Sequence, residues 1–504
     1  MRRLTPTSGR RTAVAAALGA AGLAASGCGD AAAPRATAPA TGSTLQATLV
    51  DRDGDGFLER GPGAPLLDRR ELGGAGGRAG RVLARFGQIT DAHVRDEESP
   101  ARVPFLDRLG PPFDPAFRPQ EAESAQVLDA AVRALNRQCP QAVVLTGDIV
   151  DSAQANELEQ AFAVLRGGRV DPDTGAPGYA GVQAAANPDP YYYRPQHDAP
   201  RHPGLVEAAQ RPFTAAGLRA PWYPVAGNHD LLVQGEVPAT PAIEALAVGE
   251  EMVTELDPEL RPPTDELSAP AVVETLLQGS EGLPGRTELV PADPDRRPLS
   301  AAEAVERLRA AAAPRAEATG AGLDDRAGAR LDYTFDLGDR VRAIVLDTVN
   351  RAGTSRGLVA PEQVAWLRRE LSAAGERHVI VFSHNPLDAS DGGEGALAAM
   401  AASGNVVAAV AGHRHGNRIE PHAAGFWLIG TSSLADFPQQ ARMFKLSEAA
   451  DGGVVLETWM VDHDGRGVAG PARELAHLDA QGGRPLGYAG RPLDRNARLH
   501  VPPA

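Results

Sequence analysis

Five short apolar runs in this chain each end directly in residues that favour metal ions, and that repetition constrains the fold more than any other feature. Residues 86–90 lead to Asp91-Ala92-His93, and residues 143–147 lead to Asp148. Residues 223–227 lead to Asn228-His229-Asp230, residues 379–383 to His384, and residues 410–412 to His413-Arg414-His415. Runs of this length, rich in Val and Ile, read as buried strands. Ligands in α/β sheets gather outside the carboxyl ends of parallel strands, so five such ends can converge although they lie far apart along the chain. Glycine before Asp148, Asn228 and His413 lets the backbone turn sharply and draws those side chains together.

The donor types narrow the chemistry. Carboxylates, one amide and imidazoles, without a thiolate, suit manganese, iron, zinc or cobalt better than a soft copper site or an all-oxygen calcium cage. Two divalent ions about 3.5–4 Å apart can share a water, lower its pKa and clamp the attacking and leaving oxygens of a displacement at phosphorus. A carboxylate between two cations offsets their repulsion, and Asp148 is the natural bridge. Composition removes other classes. The 504 residues include only Cys28 and Cys139, too few for a cysteine zinc cluster or a disulfide framework. With 50 Lys+Arg against 65 Asp+Glu, a net charge of −15 and no basic run, extended nucleic-acid binding is excluded.

Taken in order, Asp-x-His, Gly-Asp-x-x-Asp (residues 147–151), Gly-Asn-His-Asp (residues 227–230), a lone His and Gly-His-x-His (residues 412–415) resemble the calcineurin-like metallophosphoesterases. The resemblance spans about residues 81–448. It implies an α/β fold, a four-layer sandwich of two mixed β-sheets flanked by helices, with large insertions. It implies that Asp91, His93 and His415 hold one ion, that Asn228, His384 and His413 hold the other, and that Asp148 bridges them. His229 is then a catalytic group at the leaving-group or phosphoryl oxygens, oriented by Asp230. The activity implied is hydrolysis of phosphoric mono- or diesters through two divalent ions (Mn, Fe or Zn) and a bridging hydroxide. Purple acid phosphatases carry a tyrosine where this chain has Asp151, so no tyrosinate–ferric pair is expected. Residues 96–100, Ser432 and residues 437–440 look like a little-characterised actinobacterial branch, exported, from which no substrate carries over.

Helical patterns fall at residues 120–136, 157–165 and 361–371, the last with Pro361 at its start. Hairpins are expected for residues 333–347 around Gly338-Asp339, and for residues 442–461 around Asp451-Gly452-Gly453. Two stretches, 167–220 and 231–330, far exceed ordinary connections of about 4–6 residues, and read as lids or as ornaments. Tyr191-Tyr192-Tyr193 in the first either packs that loop or stacks on substrate, and Arg414 either contacts phosphate or pairs with an acid. Cys139 reads as a buried thiol. Asp51-Arg52-Asp53-Gly54-Asp55-Gly56 reads as a polar turn, because a calcium loop needs Glu where Pro62 stands.

At the N-terminus, Arg2, Arg3, Arg10 and Arg11 precede an apolar stretch, residues 13–25, too short for a permanent membrane helix. Residues 1–27 read as a signal peptide. Ala25-Ser26-Gly27-Cys28 resembles a bacterial lipoprotein processing site, so the protein is expected outside the cytoplasm, lipid-anchored through Cys28 or otherwise secreted. Residues 28–80 form a tether and N-terminal extension, and residues 449–504 a terminal strand and tail. Membrane contact is by the anchor only, and the expected partner is a phosphoester: a small molecule, a lipid head group or a cell-wall polymer. The alternative is a non-catalytic metal-binding surface protein that binds a partner or cell-wall polymer. The His229-Asp230 pair, which a purely structural metal site does not need, argues against it.

Overall fold

The apolar runs form the strands of two mixed sheets. In the computed structural model, residues 42–503 are described apart from 75–78, 114–115, 257–261, 266, 278–284, 312–329 and 483–485. The expected signal peptide, Cys28 and nearly all of the tether lie outside the described residues, and no described helix is long and apolar enough to cross a membrane.

The seven-stranded sheet runs Leu67–Arg69, Ala497–Val501, Val454–Asp462, Gln440–Glu448, Val82–Ile89, Ala142–Leu145, Trp222–Pro224. Its last three strands are parallel. Ile89 pairs with Leu145 and Leu145 with Pro224, so three carboxyl ends stop side by side. The six-stranded sheet runs Tyr333–Asp336, Val341–Leu346, His378–Ser383, Val406–Ala411, Phe426–Gly430, Arg418–His422. Its four central strands are parallel, and Phe382 pairs with Val410 just before His384 and His413. Both expected hairpins form.

Strands such as Ala142–Leu145, Val341–Leu346 and Val406–Ala411 are buried along their whole length, as parallel strands covered on both faces must be. Between the sheets, Phe86 meets Phe382 edge-on at 5.7 Å between ring centroids, and Tyr223 stacks on Phe335 at 3.7 Å. Outside the seven-stranded sheet lie helices Ser124–Gln138 and Ala155–Arg166, whose Leu128, Leu135, Leu158 and Phe162 join the same core. Helices Pro361–Ala374 and Gly393–Ser403 cover the other sheet, setting Trp366, Leu367 and Met400 against Ile344 and Val381. The result is four layers.

The helix expected over residues 120–136 begins at Ser124, after a single 3₁₀ turn, Glu121–Glu123. The Glu121 carboxylate holds that turn by accepting from Arg95, Arg102 and the Arg118 amide. The helix ends at Cys139, which has φ 48° and precedes Pro140. Expected buried, Cys139 is exposed, because the left-handed cap carries it off the apolar stripe.

The first insertion is anchored by the antiparallel pair Gly168–Val170 and Phe213–Ala215. Tyr192 is fully buried and its hydroxyl donates to Thr254 O at 2.8 Å, which ties this insertion to the second and gives Tyr192 the packing role, whereas Tyr191 is exposed. The second insertion carries helices Pro241–Ala247, Ala269–Leu277 and Ala301–Ala311 and the strand pair Glu251–Leu256 and Gly285–Leu289. Its Ile243, Val253, Val273 and Leu277 share a small core with Val103, Phe105 and Leu106. Asp51 accepts from the amides of Gly54 and Gly56, closing the expected polar turn.

Burial gives one stability prediction. Glu123 is 1% exposed; burial, with Glu121 nearby, pushes its carboxyl up to about 8. A folded-state value above the unfolded one of about 4.3 means that the native state holds the extra proton, so stability is greatest below that value and is lost as pH rises through 8. Glu123→Gln should therefore raise the thermal midpoint at pH 9 and leave it nearly unchanged at pH 4. Equal pH slopes in parent and variant, measured by thermal unfolding, would contradict this.

Candidate metal centre

All seven side chains expected as ligands arrive in one place. Ligand-capable atoms of Asp91, His93 and His415 lie within 4.8 Å of one another, and so do those of Asp148, His384 and His413. His384 Nε2 is 3.1 Å from Asp148 Oδ2 and 3.0 Å from Asn228 Oδ1. Asp148 Oδ2 is also 3.8 Å from His93 Nε2, so this carboxylate faces both groups. A further triplet, His93, Asp148 and His229, meets the same spacing.

The backbone is strained to achieve this. Asp91, His93, Asp148, His413 and His415 have φ between 44° and 68°, and they make up half of the ten non-glycine residues at positive φ among the described residues. Each costs roughly 1–3 kcal/mol and persists only where its surroundings over-determine it. Here they do. His93 N donates to Asp148 O at 3.0 Å, His413 N to the Asp91 carboxylate at 3.1 Å, and His229 N to Asp148 Oδ1 at 2.9 Å. A Cβ at Gly227 would overlap the amide and carboxylate of Asp148, and one at Gly412 would overlap Thr90 Oγ1 and the Asp91 carboxylate.

These groups are mutually charged. Burial works against an imidazolium at His384, but Asp148 and Asp91 outweigh it and hold the ring up at about 9. His415 is likewise raised to about 9, by Asp91 and Asp436 against burial. Burial and the neighbouring imidazoles push His93 down to about 4 and His413 to about 3. Burial tends to raise the Asp148 carboxyl, yet His384 and His229 hold it below the usual carboxylate range. The cluster thus retains cationic charge between its carboxylates, in the positions a metal ion would serve. Its donor set, carboxylate, imidazole and amide, fits two hard-to-borderline divalent ions.

Asp230 does not orient His229. Its carboxylate accepts from the amides of Ile149 at 2.8 Å, Val150 at 3.1 Å and Gly227 at 2.8 Å, fastening the Asp148 and Asn228 loops to each other. The ring of His229 is set instead by Asp151, whose main-chain carbonyl is 2.5 Å from Nδ1. A carbonyl only accepts, so Nδ1 carries the hydrogen and Nε2 is left without it in the neutral ring.

The cluster forms the floor of a cavity of about 860 Å³. Its walls include Arg118, Arg356, Arg414 and Tyr488, with Pro111 and Pro112 opposite in character. Arg414 is exposed and has no acidic partner among the described residues. Glu236 and Ala269 come from the second insertion, whereas the first contributes no wall residue. Sequence reasoning missed Tyr488, Arg118 and Asp436. Asp436 bonds His415 Nδ1 and lies between Ser432 and residues 437–440, which were already conspicuous. Arg118 carries no signal of its own in the sequence.

No protein-family model matches the chain, and no curated protein matches it. Solved structures do. A dimetal phosphatase from Danio rerio is similar over 76% of this chain and 100% of its own, at 14% identity and a TM-score of 0.38. A structure of PhoD covers 84% of this chain and 80% of its own at 9% identity and TM-score 0.31. A purple acid phosphatase from yellow lupin (Lupinus luteus) seeds covers 80% and 54% at 11% identity and TM-score 0.30. At this distance the site's own geometry, not the likeness, carries the chemistry.

Proposed function

We propose that the chain is an exported, metal-dependent phosphoesterase that hydrolyses phosphoric mono- or diesters in this cavity. One observation supports the reading most: Asp148, with His384 and His413 on one side and Asp91, His93 and His415 on the other, sits at the base of a large cavity, beside a histidine whose ring is fixed through Nδ1. Asp91, His93 and His415 would hold one divalent ion and Asn228, His384 and His413 the other, with Asp148 between them. When bound, the two ions would supply positive charge at the phosphoryl oxygens and lower the pKa of water.

The remaining work belongs to the chain itself. His229, fixed through Nδ1, would as an imidazolium carry a second hydrogen on Nε2 and give it to the leaving-group oxygen, returning to the neutral ring. Arg414, on the wall between two ligand histidines, supplies a planar two-pronged donor for a phosphoryl or second anionic oxygen. The cavity is larger than a phosphate needs, which leaves room for the ester's organic group among walls that include Pro111, Pro112 and Tyr488. The reading extends to location: residues 1–28 support export and anchoring through Cys28.

Four outcomes test this. Metal-stripped protein titrated back with Mn, Zn or Fe should hydrolyse a generic phosphomonoester or phosphodiester. His229→Ala should lower kcat roughly 10²–10⁴-fold while metal content stays at two ions, and Asp148→Asn should lose both; turnover surviving His229→Ala sinks the role given to His229. Arg414→Ala should reduce kcat/KM about tenfold or more, chiefly through KM; an unchanged KM would contradict the contact. Finally, His384 and His415 are protonated at pH 7 when no metal is bound, and ligation needs them neutral, so loading should release roughly two protons and tighten as pH rises towards 9. Calorimetry in buffers of different ionisation enthalpy reads this, and metal uptake without proton release would refute it.

A further inference from the structure

The two halves of the centre are backed differently. His93 Nδ1 is 2.9 Å from Asp151 Oδ1, and His415 Nδ1 bonds Asp436 Oδ2, so both histidines of one triplet rest on carboxylates. In the other triplet His384 Nδ1 meets only the main-chain oxygen of Thr146, at 2.8 Å, and the ring of His413 has no hydrogen-bond partner among the described residues.

The two backing carboxylates are themselves held by one short segment. Arg95 donates to Asp151 at 2.5 Å, and Arg118 donates to both oxygens of Asp436 at 2.7 and 3.1 Å. Both arms meet at Glu121. Its Oε2 accepts from Arg95 at 2.6 Å, from Arg102 at 3.0 Å and from the Arg118 amide at 3.0 Å, while Oε1 accepts from Arg102 at 2.8 Å. Every member is buried: the side chains of Glu121 and Arg102 are 0% exposed, and those of Arg95, Arg118, Asp151 and Asp436 are at most 5%. Three guanidinium groups thus balance three carboxylates away from water. A buried ionic network of this kind is seldom more stable than apolar residues of the same volume. What it provides is direction, since each link is charge-assisted and two are forked.

We propose that Glu121 is a positioning residue for the metal centre: through Arg95–Asp151 and Arg118–Asp436 it fixes the rings of His93 and His415 so that both Nε2 atoms address the same ion. The proposal rests on the metal-centre reading above and adds an asymmetry to it. Carboxylate backing raises imidazole basicity and locks ring orientation, and loss of such a partner costs roughly 10–100-fold in metal affinity. The ion at Asp91, His93 and His415 is therefore the tighter of the two, and its tightness depends on a residue that touches neither the ion nor the substrate.

The test is a Co²⁺ titration of the full metal-stripped chain, followed by visible absorption, with Glu121→Gln beside the parent. The parent should show two binding events of unequal affinity. Glu121→Gln should weaken the tighter event roughly 10–100-fold, alter its absorption band and leave the weaker event in place. If both events weaken equally, or neither changes, the positioning role is overturned. If Glu121→Gln does not fold, Arg118→Gln, which severs only the Asp436 arm, is read by the same criteria. A parent that binds no Co²⁺ refutes the metal-centre reading itself, which is a separate result from two normal events insensitive to Glu121.

Discussion

Two carboxylates, four imidazoles and an amide brought together out of water need a cation among them, and the rest of the structure is arranged around that need. Burial alone would neutralise such groups. Instead Asp91 and Asp148 stay below the usual carboxylate range because His415 and His384 beside them stay charged. The order of the strands follows from the same requirement. Parallel pairing ends Ile89, Leu145 and Pro224 in one row and Phe382 and Val410 in another, and the two sheets face each other with both rows at one end.

Holding the cluster open costs backbone strain, and the loops that bear the strain are cross-fastened. Asp230 ties the Asp148 loop to the Asn228 loop, and Asp91 ties its own loop to that of His413. Gly227 and Gly412 are required by close approach rather than by an unusual φ, since any side chain there would strike a ligand carboxylate. The helices and aromatic contacts between the sheets supply the packing against which this strain is held.

The strands and the gathering of the metal-favouring side chains were legible in the sequence because both signals are local: a β-branched run, then a residue type. Roles that depend on distant partners were not. Asp230 looked like the residue that orients its neighbour His229, yet the carbonyl that does so belongs to Asp151, 78 positions away in the chain. Glu121 falls within the helical pattern of residues 120–136 but off its apolar stripe, and a charged residue there reads as solvated until the fold buries it. Both long insertions read as lids or as ornaments, but only the second reaches the cavity wall, through Glu236 and Ala269. The first instead packs Tyr192 under the second, a difference set by tertiary placement alone.

The central claim is that this cluster exists to hold two ions on either side of Asp148. Anomalous diffraction from crystals of the metal-loaded protein, recorded at the absorption edge of the added metal, tests it most directly. The account predicts two peaks, one enclosed by Asp91, His93 and His415 and the other by Asn228, His384 and His413, with the Asp148 carboxylate between them. A single peak, or density only at the Asp51, Asp53 and Asp55 turn, would contradict it.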